Sequence, residues 1–184
     1  MEVLRFIILL AIVLAVFVLF QFLFKTFEVF DVSMEPTYTP GDLILVNKIA
    51  YVGNEPARGD VVAVYSPDSN ARLPENPFLS ANVFIFIKRI IAVGGDIVEI
   101  DDAKVYVNGT QLDEPYIAEP CGYTCARQTI PEGEYFVLGD DRNHSEDSHT
   151  GWLVPRDDII GKVLFRYWHY EMPRTIKKTA GATR

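Results

Sequence analysis

Apolar positions along this chain follow two patterns. From residue 6 to residue 24 the sequence reads FIILLAIVLAVFVLFQFLF, where Gln21 is the single polar interruption. At a rise of about 1.5 Å per helical residue, such a run crosses a hydrocarbon layer of about 30 Å. A cleaved secretory leader would have a shorter apolar core, about 7–15 residues, ending in small residues. Here the run continues into Lys25-Thr26-Phe27-Glu28-Val29-Phe30, which is bulky, so an uncleaved membrane anchor within residues 1–25 is expected. Beyond it the pattern changes. Short runs of Val, Ile, Phe and Tyr occupy residues 43–49, 60–65, 83–91, 96–100, 104–107, 134–138 and 159–167, separated by Gly, Pro, Asn and Asp. Such runs read as strands and turns, and Asn108-Gly109 is a favoured type I′ hairpin turn. No later stretch sustains a helical period of about 3.6 residues. The chain is therefore expected to be mainly β, with a transmembrane helix followed by one β-sheet or sandwich domain over residues 26–170. Residues 66–80, rich in Pro, Asn, Asp and Glu, read as a surface loop or flap.

Length and charge narrow the partners. The chain has 184 residues, and the part after the anchor suffices for one domain with a substantial core. Lys+Arg 17 against Asp+Glu 25 gives a net charge of -8, an acidic surface that repels phosphate backbones and excludes nucleic acid as an expected partner. Arg174, Lys177, Lys178 and Arg184 make residues 171–184 a flexible basic tail, able to touch anionic lipid. Cys121 and Cys125, in Pro-Cys-Gly-Tyr-Thr-Cys-Ala, close a small loop but offer too few ligands for a metal. A disulfide between them is expected, which places the domain in an oxidising compartment. Arg5 before the span and Lys25 after it give a weak charge bias. The cysteine pair and acidic body favour a cytoplasmic N-terminus and an external domain.

Within Asp31-Val32-Ser33-Met34-Glu35-Pro36-Thr37, Ser33 is tethered close behind the anchor. A serine hydroxyl is a poor nucleophile until a neighbouring base takes its proton. One such arrangement would join Ser33 to His144 or His149 and to Asp140, Asp141 or Asp147. The other base is Lys88, set in Val83-Phe84-Ile85-Phe86-Ile87-Lys88-Arg89-Ile90-Ile91. A lysine serves as a base when burial lowers its pKa from about 10.4 towards about 7–8, and an apolar strand supplies that desolvation. Taken alone, Lys88 reads equally well as an edge-strand lysine whose amine reaches water.

Four stretches in order change that balance: residues 33–37 (SMEPT), 41–48 (GDLILVNK), 88–96 (KRIIAVGGD) and 139–148 (GDDRNHSEDS). Together, behind a membrane anchor, they resemble the bacterial type I signal peptidases, membrane-bound Ser-Lys endopeptidases. The resemblance runs from the anchor to about Tyr167. It implies Ser33 as nucleophile, Lys88 as general base and Ser145 as the hydroxyl orienting the lysine. Arg89 and Asp147 match the charged residues that brace the site, and Gly139 and Asp140 the turn packed beside the lysine. It also implies an extracytoplasmic catalytic domain of the signal peptidase type on a single-pass protein of the bacterial inner membrane. The substrates would be preproteins with signal peptides, met beside the export translocon, and no metal or organic cofactor would be needed. Met34, Tyr38, Phe86 and Ile87 flank the catalytic positions and are expected to wall shallow pockets for the small residues one and three places before the cut. Substrate is expected to lie extended along residues 83–87.

Three departures from the family pattern stand out. Asp31 occupies the position that often gives a hydroxyl to the oxyanion hole; an ionised carboxylate would repel the developing charge, leaving the Ser33 backbone N–H and another donor. Val93-Gly94-Gly95-Asp96 replaces the usual glycine–proline–glycine turn. His149 stands where arginine is common, so a pair with Asp147 would depend on pH. The rival readings are a related Ser-Lys self-cleaving regulator, a specialised peptidase for pilins or conjugation proteins, and an anchored β module that binds extended peptides without cutting them.

Overall fold

The computed structural model describes residues 2–66 and 85–170. Helix α1 (Glu2–Leu23) is apolar on every side, has no buried residue, and is long enough to cross a bilayer. It passes directly into strand β1 (Phe24–Glu28), so the last part of the expected span is already sheet. β1 pairs antiparallel with β2 (Asp42–Asn47), and Lys48 N donates to Leu23 O at 2.9 Å.

The remaining strands are β3 (Val61–Tyr65), β4 (Ile85–Ala92), β5 (Ile97–Asp101), β6 (Lys104–Val107), β7 (Thr110–Gln111), β8 (Cys125–Thr129), β9 (Glu134–Leu138), β10 (Val154–Pro155) and β11 (Ile159–His169). They form a seven-stranded sheet, ordered β1-β2-β11-β3-β4-β9-β10, and a four-stranded sheet, ordered β7-β6-β5-β8. All pairings are antiparallel. The domain is thus mainly β. Of the expected strand over residues 83–91, residues 83 and 84 lie outside the described residues, as do the loop after Ser66 and the basic tail.

Because successive side chains in a strand point to opposite faces, the central strands serve two cores at once. Val61 and Ala63 of β3 join Met34, Ile44, Val46, Ile87 and Val163, whereas Val62 and Val64 join Ile90, Tyr135 and Val137. A third cluster packs Val98, Ile100, Val105 and Val107 of the small sheet against Ile91, Phe136 and Leu138 of the large one. This last contact sets the small sheet beside β4 and β9, the strands that lead into the candidate site.

The expected disulfide is absent: Cys121 and Cys125 are free thiols. Cys121 is buried in the cluster between the sheets, where desolvation pushes its thiol up and keeps the unreactive protonated form. Cys125 is held at the start of β8 opposite Ile100, and its sulfur accepts from Gln128 Nε2 at 3.3 Å. The oxidising compartment inferred from that pair loses its support.

The turn at Asn108-Gly109 joins β6 to β7 with φ of 54° and 78°, as a type I′ turn requires. A Cβ on Gly109 would meet nothing within 4 Å, so substitution there carries conformational strain alone. Gly109→Ala should cost about 1 kcal/mol, and thermal unfolding should show Tm lowered by about 2–4 °C.

Candidate active site

Ser33 lies in the turn between β1 and β2. Val29 N donates to Asp42 O and Gly41 N to Val29 O, at 2.8 and 2.9 Å, closing the base of this excursion. At its tip Glu35 N donates to Val32 O and Tyr38 N to Met34 O, both at 2.8 Å, and the Glu35–Pro36 peptide is cis. Met34 is driven into the core with Ile87, so its neighbour Ser33 is fixed and itself only 5% exposed. The Ser33 carbonyl accepts from Asp141 N at 3.0 Å, which ties the turn to the segment after β9.

Lys88 is in the middle of β4, opposite Val62, and is 2% exposed. The snorkelling reading fails here because β4 is an interior strand between β3 and β9. Its Nζ donates to Ser145 Oγ at 2.7 Å and lies 5.4 Å from the Phe86 ring centroid. Burial holds the amine below the ordinary lysine range. The negative charges of Asp147, Asp31 and Glu146 push the other way without cancelling it. Among the described residues no hydrogen bond joins Ser33 Oγ directly to Lys88. Ser33 and Ser145 meet across Gly139: a side chain there would collide with both the Ser33 carbonyl and Ser145 Oγ. Glycine is required at this point by space, since its φ is not in the left-handed region.

The charged residues divide into two groups. Asp140, fully buried, receives Arg89 through both Nε (2.8 Å) and Nη2 (2.6 Å), and also Thr37 Oγ1 at 2.5 Å. That carboxylate therefore joins β4, the Ser33 turn and the segment after β9. Asp147, also fully buried, accepts Gly139 N at 2.9 Å on one oxygen. Its other oxygen shares a 2.5 Å hydrogen bond with His149 Nδ1, and the His149 ring stacks on Tyr123 with centroids 3.8 Å apart. Arg89 and Asp147 thus have different partners and do not pair with one another.

Asp31 is exposed and folded onto its own backbone, Oδ1 accepting from Val32 N at 2.6 Å. Of the expected pocket residues, Met34, Tyr38 and Ile87 come together in one cluster. Phe86 packs instead with Val62, Val64 and Ile90, on the Lys88 face of β4. The histidines do not form a Ser-His arrangement: His144 lies on Asp141 at 3.1 Å, His149 on Asp147, and His169 on Asp42 at 2.7 Å.

Sequence reasoning passed over Arg142, which is 1% exposed and donates through Nε to the Gly139 carbonyl at 3.0 Å. The signal for it is an arginine inside the 139–148 stretch. Nothing local marks its partner Glu114, reached by two bonds of 3.0 and 2.6 Å.

Gly139→Ala should bring the new methyl to 2.6 Å from Ser145 Cβ, too close for either to stay in place. The expected stability loss is about 1–3 kcal/mol by overpacking, which thermal unfolding would check.

Comparison with known proteins gives a consistent result. A family model described as signal peptidase, peptidase S26, matches residues 1–168. The probable signal peptidase I-2 of Synechocystis sp. is 42% identical over 136 residues, covering 74% of this chain; the aligned part is 59% of that relative, so the chain spans about three fifths of its length. Signal peptidase IB of Staphylococcus aureus (strain Mu50) is 30% identical over 188 residues, covering 92% of this chain and 91% of the relative. A crystal structure of a signal peptidase I from Enterococcus faecalis V583 aligns at 31% identity with a TM-score of 0.47, over 60% of this chain and 97% of that one. A family match over nearly the whole chain decides the classification: the chain belongs to the signal peptidases of the peptidase S26 family.

Proposed function

We propose that this protein is a membrane-bound serine endopeptidase that removes N-terminal signal peptides from exported preproteins, cutting after small residues through a Ser33–Lys88 dyad. The observation that carries the reading is the Lys88 amine, desolvated inside β4 and held at 2.7 Å from Ser145 Oγ beside the Ser33 turn.

In this mechanism Lys88 takes the proton of Ser33, whose Oγ attacks the peptide carbonyl. Ser145 holds the amine in direction, and the Asp147–Gly139 bond keeps the loop around it in place. The Ser33 N–H, which meets no acceptor among the described residues, faces the developing oxyanion with a second donor. Lys88 then gives its proton to the leaving amine and activates the water that hydrolyses the acyl-enzyme. Met34, Tyr38 and Ile87 form one wall of the substrate pockets and Phe86 the rim beside Lys88. The signal sequence runs extended along the start of β4, pairing through its backbone.

The anchor serves the same purpose. α1 crosses the inner membrane with the N-terminus in the cytoplasm, and the catalytic domain works on the external face. A signal sequence presents its cleavage point just outside the bilayer, near the translocon, and a site held at that depth meets it at high effective concentration.

Lys88→Ala and Ser33→Ala should each abolish processing of a preprotein in detergent, while His144→Ala leaves it largely intact. Processing by Lys88→Ala at the wild-type rate would remove the dyad. The carboxylate of Asp31 favours the charged form of Lys88, so its removal lowers the amine's pKa further. Since the neutral amine is the active form, Asp31→Asn should move the acid limb of the kcat/KM profile to lower pH.

A further inference from the structure

Two arginines near the site, Arg89 and Arg142, converge on one short segment of the small-sheet side of the protein. Glu114, between β7 and β8, receives both terminal nitrogens of the buried Arg142, and Tyr116 Oη donates to Glu114 Oε1 at 2.9 Å. The Tyr116 ring carries the Arg89 guanidinium 4.0 Å from its centroid and that of Arg142 at 6.0 Å. Tyr116 therefore fills the space between two cations that would otherwise repel one another. The Glu114 carboxylate supplies the charge that Arg142 needs in a buried position.

Both cations act directly on the catalytic loops. Arg142 Nε holds the Gly139 carbonyl at 3.0 Å, fixing the residue pressed between Ser33 and Ser145. Arg89 holds Asp140, whose carboxylate also receives Thr37 Oγ1 of the Ser33 turn. Two routes thus leave Glu114 and Tyr116, one ending beside the lysine-orienting serine and the other beside the nucleophile. We propose that Tyr116 and Glu114 are positioning residues for peptide cleavage: acting through Arg142 and Arg89, they hold the 139–141 segment so that Ser33, Ser145 and Lys88 stay aligned. The proposal rests on the Ser33–Lys88 reading, and it assigns the connection between β7 and β8 a positioning purpose besides packing.

The full-length protein in detergent tests it, with a preprotein as substrate and single-turnover as well as steady-state rates. Tyr116→Leu removes the platform; Tyr116→Phe keeps the ring and deletes the bond to Glu114. Tyr116→Leu should lower kcat about tenfold or more with KM within twofold, because alignment is disturbed and the substrate pockets are not. Tyr116→Phe should recover most of that loss. A folded Tyr116→Leu protein with wild-type kcat, or one altered in KM alone, overturns the proposal, as does a Tyr116→Phe protein as impaired as Tyr116→Leu. If Tyr116→Leu does not fold, Glu114→Gln decides: unchanged kcat in that folded variant overturns the proposal, and a kcat-specific loss supports it. Lys88→Ala, measured alongside, separates the two levels. Wild-type processing by Lys88→Ala removes the dyad itself. An inactive Lys88→Ala beside a fully active Tyr116→Leu removes only the positioning roles.

Discussion

Withdrawal of the Lys88 amine from water is the constraint around which the rest of the site is arranged. Hydration of an ammonium is lost when β4 is enclosed by β3 and β9, and among the described residues the amine recovers one hydrogen bond, to Ser145. Nearby acids are kept off the amine. Asp140 is committed to Arg89 and Thr37, and Asp147 to Gly139 N and His149. A carboxylate in direct contact with Lys88 would stabilise its charged form. Both buried carboxylates are therefore engaged elsewhere, and the amine donates to a neutral hydroxyl.

The same arrangement explains why the loop after β9 is so heavily bonded. Gly139 touches everything that matters: its amide is held by Asp147, its carbonyl by Arg142, and its missing side chain leaves the space taken by the Ser33 carbonyl and Ser145. Rotation of this one peptide would disturb Ser33 and Ser145 together. The pair on Asp140 is thus more than a surface salt bridge: it is buried and joins parts of the chain far apart in sequence, whereas the Asp147 pair with His149 is local.

Several of these features could be read from the chain alone, and others could not. Strands β6 and β9 begin and end where the β-branched and aromatic runs do, because both are buried on at least one face. β8, Cys125-Ala126-Arg127-Gln128-Thr129, is a mostly exposed edge strand without such a run, and β10 is a pair of residues held by β9. β1 is hidden for a different reason: Lys25-Thr26-Phe27-Glu28 follows the anchor, and only its pairing with β2 makes it a strand. Ser33, Lys88 and Ser145 stand in stretches that the resemblance to a known family brings together. The roles of Glu114 and Tyr116 depend on contacts with Arg142 and Arg89 that span the two sheets, which no local pattern records. A disulfide read from spacing failed for a related reason, since burial and strand register, invisible in a CxxxC pattern, decide where each thiol sits.

Helix α1 enters β1 without an intervening residue, and β1 is stitched along its length to β2. In the membrane arrangement proposed above, the catalytic domain then has no swivel. A linker would let the domain sample many heights, but a strand transmits the inclination of the helix to the sheet as a lever transmits rotation. Bilayer thickness, by changing how far the helix leans, would raise or lower Ser33 relative to the lipid surface. The depth of cleavage would in this way be set partly by the membrane in which the protein resides.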